Sequence, residues 1–271
     1  METAGPGRGD RGRPLGLLGP PSAKATRLYR VLLAVGRMIG AVLGIRLRLE
    51  GAERLPRTAD GRPAGGWIAV GVPHRTWVDP FVLALLLPVE PRLVWLGDGR
   101  AIFRSPLRRL VFRRIGGVIP IWPGGGRDAV DAHFAGAQAA LRAGAVFALF
   151  PEVGPAVAVD RAREFGAGVG YVALRTGVSV VPLILGGAHE LYLGRRIVLR
   201  VLPPVAAREL AGLGPGDAVP APGSREEREA AHRVVAALHA LTAAAVTATH
   251  IEAEPRPGAR KRWRGLTHLF H

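Results

Sequence analysis

His74 and Asp79 stand five residues apart in Pro73-His-Arg-Thr-Trp-Val-Asp-Pro80, between an apolar run ending at Val72 and an apolar helical stretch. On a regular helix, residues five apart diverge by about 140°. The two side chains meet only in a loop that doubles back onto a helix start. Asp79-Pro80 reads as such a start, with Asp as N-cap and Pro at the first helical position. A carboxylate has two oxygens, so one can cap the helix while the other holds an imidazole N–H. That arrangement fixes the tautomer and leaves the other ring nitrogen free as a base. The plainer reading of Asp79 is a cap and nothing more.

Such a base needs a proton to remove, and the chain offers few nucleophiles of its own. Its serines are Ser22, Ser105, Ser179 and Ser224, none in a G-x-S-x-G elbow. The absence of cysteine excludes disulfides, a thiol nucleophile and thiolate metal sites. His189-Glu190 lacks the second histidine of a zinc motif, and no G-x-G-x-x-G dinucleotide pattern occurs. His232 and His239 share a helix face as packing or surface residues. A His–Asp pair without a protein nucleophile suits direct deprotonation of a substrate hydroxyl, a role that needs neither metal nor cofactor.

The elements that must position the pair alternate along the chain. Short apolar runs at 46–50, 67–72, 93–97, 117–121, 145–150, 179–185 and 197–202 read as strands, several apolar throughout as in a sheet covered on both faces. Helical stretches at 80–87, 103–114, 127–143 and 166–176 lie between them. The expected fold is therefore α/β, with a largely parallel central sheet flanked by helices. Around this core, residues 1–25 read as a flexible basic arm and 26–45 as an amphipathic membrane helix. The main domain is 46–210, followed by a Pro/Gly linker at 211–223, an Ala-rich helix at 224–250 and a basic tail at 251–271. In 26–45, Arg30 and Arg37 interrupt the apolar run. Each would cost about 2.5–3.5 kcal/mol at the centre of a bilayer, so the helix is expected in the headgroup region with its arginines reaching lipid phosphates.

Formal net charge is +16 over 271 residues, nearly all of it arginine, which implies an anionic partner such as phospholipid or cofactor phosphate. Only 6% of residues are aromatic and no nucleic-acid-binding motif appears, so nucleic acid is the less expected partner. The helix at 103–114 carries arginines with Phe112 among them, which suits a lipid surface. The first two dozen residues lack the apolar core of a signal peptide.

His74-Arg-Thr-Trp-Val-Asp79 resembles the H-x-x-x-x-D motif of the glycerolipid acyltransferases, the 1-acylglycerol-3-phosphate acyltransferase type. Further blocks follow in family order. Phe150-Pro151-Glu152 is similar to the start of F-P-E-G-T-R, Phe165-Gly166-Ala167 to the F-x-x-G-A region, and Val181-Pro182-Leu183 to the V-P-V strand. Leu49-Glu50-Gly51 through Leu55-Pro56 resembles the opening strand. The resemblance spans roughly residues 45–205. It implies that His74 is the general base that lets a lipid hydroxyl attack acyl-CoA or acyl-carrier protein, with Asp79 orienting it. It also implies that Arg75, Thr76, Glu152 and Gly154 contact substrate. Phospholipid or glycerolipid synthesis or remodelling is then the expected role. The expected location is the cytoplasmic face of the cell membrane, peripheral or monotopic, with membrane lipid as partner.

The departures bear on the acceptor. F-P-E-G-T-R becomes Phe150-Pro-Glu-Val-Gly-Pro155, and G-x-x-F-I-x-R becomes Gly117-Val-Ile-Pro-Ile-Trp-Pro123, so two arginines that the family uses for the acceptor's phosphate are absent. Arg127, after Gly124-Gly125-Gly126, is one candidate replacement; Arg161 and Arg163 are others. Alternatively the acceptor carries a diester headgroup, a sugar or no phosphate, or the chain is an inactive lipid-binding relative.

Overall fold

In a computed structural model of the chain, the described residues are 19, 21–122, 126–154, 157–255 and 259–264. Most of the expected arm, 1–25, and part of the expected tail lie outside them. The sheet is built from β1 (Arg46–Glu50), β2 (Ile68–Val72), β3 (Leu93–Asp98), β4 (Val118–Ile121), β5 (Val146–Leu149), β6 (Ser179–Gly186), β7 (Arg196–Val201) and the short β8 (Val205–Ala206). The strand order is β1-β7-β6-β2-β5-β3-β4, with β8 beside β6. The five strands from β6 to β4 are mutually parallel, whereas β7 and β8 run antiparallel to β6. β7 follows β6 after a short connection, which cannot make the crossover a parallel pair demands, and β8 continues in the direction of β7.

The helices are α1 (Arg27–Val42), α2 (Asp79–Leu86), α3 (Gly99–Phe103), α4 (Pro106–Ile115), α5 (Gly126–Arg142), α6 (Gly168–Thr176), α7 (Ala207–Leu210) and α8 (Arg225–Ala253). Successive strand residues point to opposite faces, so the sheet supports two cores. On one face Ala69, Trp95, Ala148 and Leu183 pack with α1 and α2 through Tyr29, Leu33, Val82 and Leu83. On the other, Ile68, Val70, Val94, Phe147 and Ile184 pack with α5, α6 and α8 through Ala140, Val172, Val234 and Leu238. Every residue of β2 is buried, as the central strand of three layers should be.

One helix departs from its expected orientation, and a second is distinguished by its length. In α1, Thr26 caps the first turn by accepting from Tyr29 N–H at 3.2 Å, and Tyr29, Leu33 and Gly40 face the core. Arg30 and Arg37, expected to reach outward, instead tie the helix to the body. Arg30 pairs with Glu90 at 2.6 Å, and Arg37 donates to the Leu85 carbonyl at 2.9 and 3.1 Å. The outward face is apolar: Val31, Val35, Met38, Ile39 and Val42 are all exposed. The helix α8 is, among the described residues, the one helix long and apolar enough to cross a membrane by length and composition. Its buried residues Ala230, Val234, Leu238, Thr242, Val246, Thr249 and Ala253 recur every three or four positions, the pattern of a helix laid on a core. Gly170 of α6 permits that contact, because a Cβ there would lie 2.4 Å from the Ala231 carbonyl oxygen.

Candidate active site

β2 ends at Val72, and the chain then turns out of the sheet towards α2. Within this turn His74 Nδ1 lies 3.0 Å from Asp79 Oδ2. The same oxygen accepts the backbone N–H groups of Arg75 and Thr76, each at 2.7 Å, and Thr76 Oγ1 donates to Oδ1 at 3.0 Å. Asp79 is 1% exposed. Three donors from the loop converge on this buried carboxylate, so it takes the imidazole as a fourth donor and the ring proton sits on Nδ1. Nε2 then carries the lone pair.

Asp79 does not cap α2. The helix begins at Asp79 itself, with Val78 in the cap position. The Phe81 and Val82 N–H groups already share the Val78 carbonyl at 2.9 and 3.0 Å. Both carboxylate oxygens are thereby released to fold back on the loop, and the expected division of labour between cap and imidazole is replaced by complete commitment to residues 74–76.

The neighbouring strand supplies the other half of the site. After β5 come Phe150, Pro151 and Glu152. The Phe150 ring stacks on the His74 ring with centroids 4.4 Å apart. Gly71 makes room for it, since a Cβ at that position would stand 2.5 Å from the Phe150 ring. Glu152 Oε2 accepts His74 N–H, and Oε1 accepts Arg163 N–H, both at 2.7 Å. The Glu152 side chain is 1% exposed. It joins the β2 loop to the segment that leads into α6, which is also held by Val153 N–H to Glu164 O and Gly166 N–H to Pro151 O, each at 2.8 Å.

Arg75 lies in the same layer. Its Nη2 donates to the carbonyls of Ala158 and Arg161, and its Nη1 is 3.8 Å from Glu152. Burial pushes its guanidinium below the ordinary value and Arg163 adds to this, while Glu152, Asp79 and Asp160 act against it. Gly154 is exposed, in a left-handed conformation with φ of 79°. Arg127 falls in the first turn of α5, and its side chain is outside the described part of the structure. The structure thus brings together His74, Asp79, Arg75, Thr76 and Glu152. Phe150 as the ring partner of His74 went unread: Phe-Pro-Glu was visible as a motif, but nothing in one sequence says that its ring meets an imidazole 76 positions earlier.

A cavity of about 320 Å³ opens beside the pair at the C-terminal ends of β3, β4 and β5. His74 forms part of its wall, and Pro80, Trp95, Leu96, Ile121, Leu149 and Phe150 make the rest mainly apolar. Ligands of open parallel sheets gather at this edge, where the connections leave β2 and its neighbours in opposite directions. Away from the site, His189, His250 and Glu254 place ligand atoms within 4.8 Å of one another. Glu254 Oε1 there already accepts from the buried Arg195 at 2.7 Å, a cation that opposes a metal ion.

An imidazole bonded to a buried carboxylate thus faces a mainly apolar cavity at the C-terminal edge of an α/β sheet. The Acyltransferase family model matches residues 46–186, just over half of the chain, so the chain belongs to the acyltransferase family and is an enzyme of that class. Its structure is similar to the crystal structure of the 1-acyl-sn-glycerophosphate (LPA) acyltransferase PlsC from Thermotoga maritima. The TM-score is 0.52 at 20% identity, covering 79% of each chain, a likeness of fold. No curated protein matches the chain in sequence.

Proposed function

We propose that the enzyme transfers a fatty acyl group from acyl-CoA or acyl-carrier protein to the hydroxyl of a lysophospholipid or related lipid, working at the cytoplasmic face of the cell membrane. The observation that carries this reading is the committed pair: a buried Asp79 with four donors, one of them the His74 ring, beside an apolar cavity. His74 Nε2 takes the acceptor's hydroxyl proton as the oxygen attacks the thioester carbonyl. The tetrahedral intermediate collapses to the new ester, the C–S bond breaks, and the thiolate takes the proton from the imidazolium. Asp79 stabilises that imidazolium and keeps the ring's tautomer. The apolar cavity suits the acyl chain of the donor.

The exposed apolar face of α1 supports membrane association of a peripheral or monotopic kind. Val31, Val35, Met38, Ile39 and Val42 cluster on the side opposite the buried Tyr29, Leu33 and Gly40, and nothing among the described residues covers them. On α4, Leu107 and Leu110 are exposed among arginines, the mixture that suits a headgroup region.

An inactive lipid binder has the missing arginines in its favour, yet it has no use for a buried carboxylate that holds one imidazole through Oδ2 while three loop donors fix the carboxylate itself. The acceptor is tested by offering labelled acyl-CoA and acyl-carrier protein with lysophosphatidic acid, lysophospholipids bearing diester headgroups, lysoglycolipid and monoacylglycerol. Turnover with lysophosphatidic acid that falls on Arg127→Gln or Arg163→Gln means that a relocated arginine holds the phosphate. Turnover confined to another acceptor means altered specificity. No transfer by folded, vesicle-bound protein contradicts the proposed reaction.

A further inference from the structure

The basic segment near the C-terminus does not trail away from the fold. Leu193 N–H donates to the Arg262 carbonyl at 3.0 Å, and the next residue, Gly194, donates its N–H to the carbonyl of Leu43, which follows α1, at 3.0 Å. Adjacent residues of one loop between β6 and β7 are therefore bonded to the tail and to the residue that follows α1. Glu190 of this loop clamps the tail's flanks, with Lys261 Nζ at 2.5 Å and Arg264 Nε at 2.9 Å. Between the clamped residues, Trp263 is 71% exposed at φ 57°, a left-handed backbone rarely adopted by a bulky residue. Such a conformation persists only where its surroundings impose it. Arg260 and Arg262 are exposed on either side of Lys261. At the adjoining end of α1, Val42 is 80% exposed.

We propose that residues 260–264 form a second foot for an anionic phospholipid bilayer, set beside the apolar face of α1 and held there by Glu190. This rests on the reading of α1 as a membrane surface. An indole takes the interfacial depth of a bilayer, and the flanking guanidiniums meet lipid phosphates. The fixed, outward Trp263 next to an apolar helix face favours a lipid surface over an acidic protein, which would engage the arginines and leave the indole in water. Two attachment points, α1 and the tail, fix the orientation of the sheet above the membrane where one would let it pivot.

The chain has no cysteine, so a single Trp263→Cys variant of the full protein can carry an environment-sensitive dye. The dye is expected to blue-shift on phosphatidylcholine vesicles containing phosphatidylglycerol. A control dye at Val219→Cys is expected not to shift, because the linker lies at the other end of α8, about 40 Å away at 1.5 Å per residue. Changing Arg260→Gln, Arg262→Gln and Trp263→Ala together is expected to weaken binding to these vesicles by about tenfold or more, with acyl transfer to a detergent-dispersed acceptor unchanged. An unshifted dye and undiminished binding by the triple variant, while the parent binds, would overturn the tail's role and leave that of α1 standing. Failure of the parent to bind any vesicle would overturn both. A loss seen with acyl-carrier protein but not with vesicles would overturn the bilayer in favour of a protein partner.

Discussion

Glu152 uses both carboxylate oxygens on backbone N–H groups from two loops, His74 across 78 residues and Arg163 across 11. Its geometry makes it a positioning residue for His74. In Glu152→Gln the amide nitrogen must face one of two N–H donors, so one buried bond is lost. The expected cost is about 1–3 kcal/mol in urea unfolding. The turnover number should fall by more than the Michaelis constant for the donor rises, because His74 loses its backbone anchor while the cavity walls stay. Unchanged turnover with unchanged stability would remove Glu152 from the site's architecture. At this scale the sequence was informative about the pair and uninformative about its support. The spacing of His74 and Asp79 beside Asp-Pro placed them in a returning loop. That both Asp79 oxygens serve the loop depends on the Val78 carbonyl taking two helix N–H groups, a detail of local geometry.

Among the elements, β2 and β5 matter most, because their adjacent C-terminal ends bring His74 and Phe150 into a stack. Gly71 is the position on which that stack depends. Gly71→Ala puts a methyl group into the Phe150 ring, with an expected overpacking cost of about 1–3 kcal/mol. Activity should drop in step as the His74 ring loses its partner. A crystal structure of the variant checks it through the separation of the two rings. On the opposite face, Arg175 of α6 holds the 1%-exposed Glu227 of α8 with bonds of 2.6 and 3.0 Å. The Arg175 hydrogen bonds hold the Glu227 carboxyl below its usual range, against the opposing effect of burial. A lowered native value means that this contribution is present above the unfolded carboxyl's ordinary value and is lost as pH falls through the native one. Glu227→Gln should therefore destabilise the fold by about 3 kcal/mol at neutral pH, and by progressively less in acid; equal losses at both pH values would contradict the clasp. Strands and long helices were legible from apolar runs and periodicity. The short α3, α7 and β8 were not, since two to five residues carry no periodic signal. Nor did the amphipathic reading of 26–45 foresee that Glu90 and the Leu85 carbonyl would take its arginines.

The whole molecule presents an excess of cations and one helix that is apolar on two opposite faces, one of which the sheet covers. Placing acids on the uncovered face, with Met38→Glu and Val42→Glu, should lower vesicle partitioning by tenfold or more, about the effect expected when buried apolar contact is replaced by charge. Secondary structure should be unchanged by circular dichroism, because both side chains point away from the core. Undiminished partitioning would move the membrane contact elsewhere. The fold class and the family were legible because the site motif and its strand contexts are local in the chain. The acceptor was not, because two arginines of the family's pattern are missing, after Glu152 and in the segment following β4, and nothing local in the chain marks what takes their place. The most direct test of the central claim is single-turnover acyl transfer by His74→Ala, with folding verified. The account predicts a rate lower by about 100- to 10,000-fold at unchanged vesicle binding and thermal midpoint. Full turnover by that variant would contradict the assignment of His74 as the base.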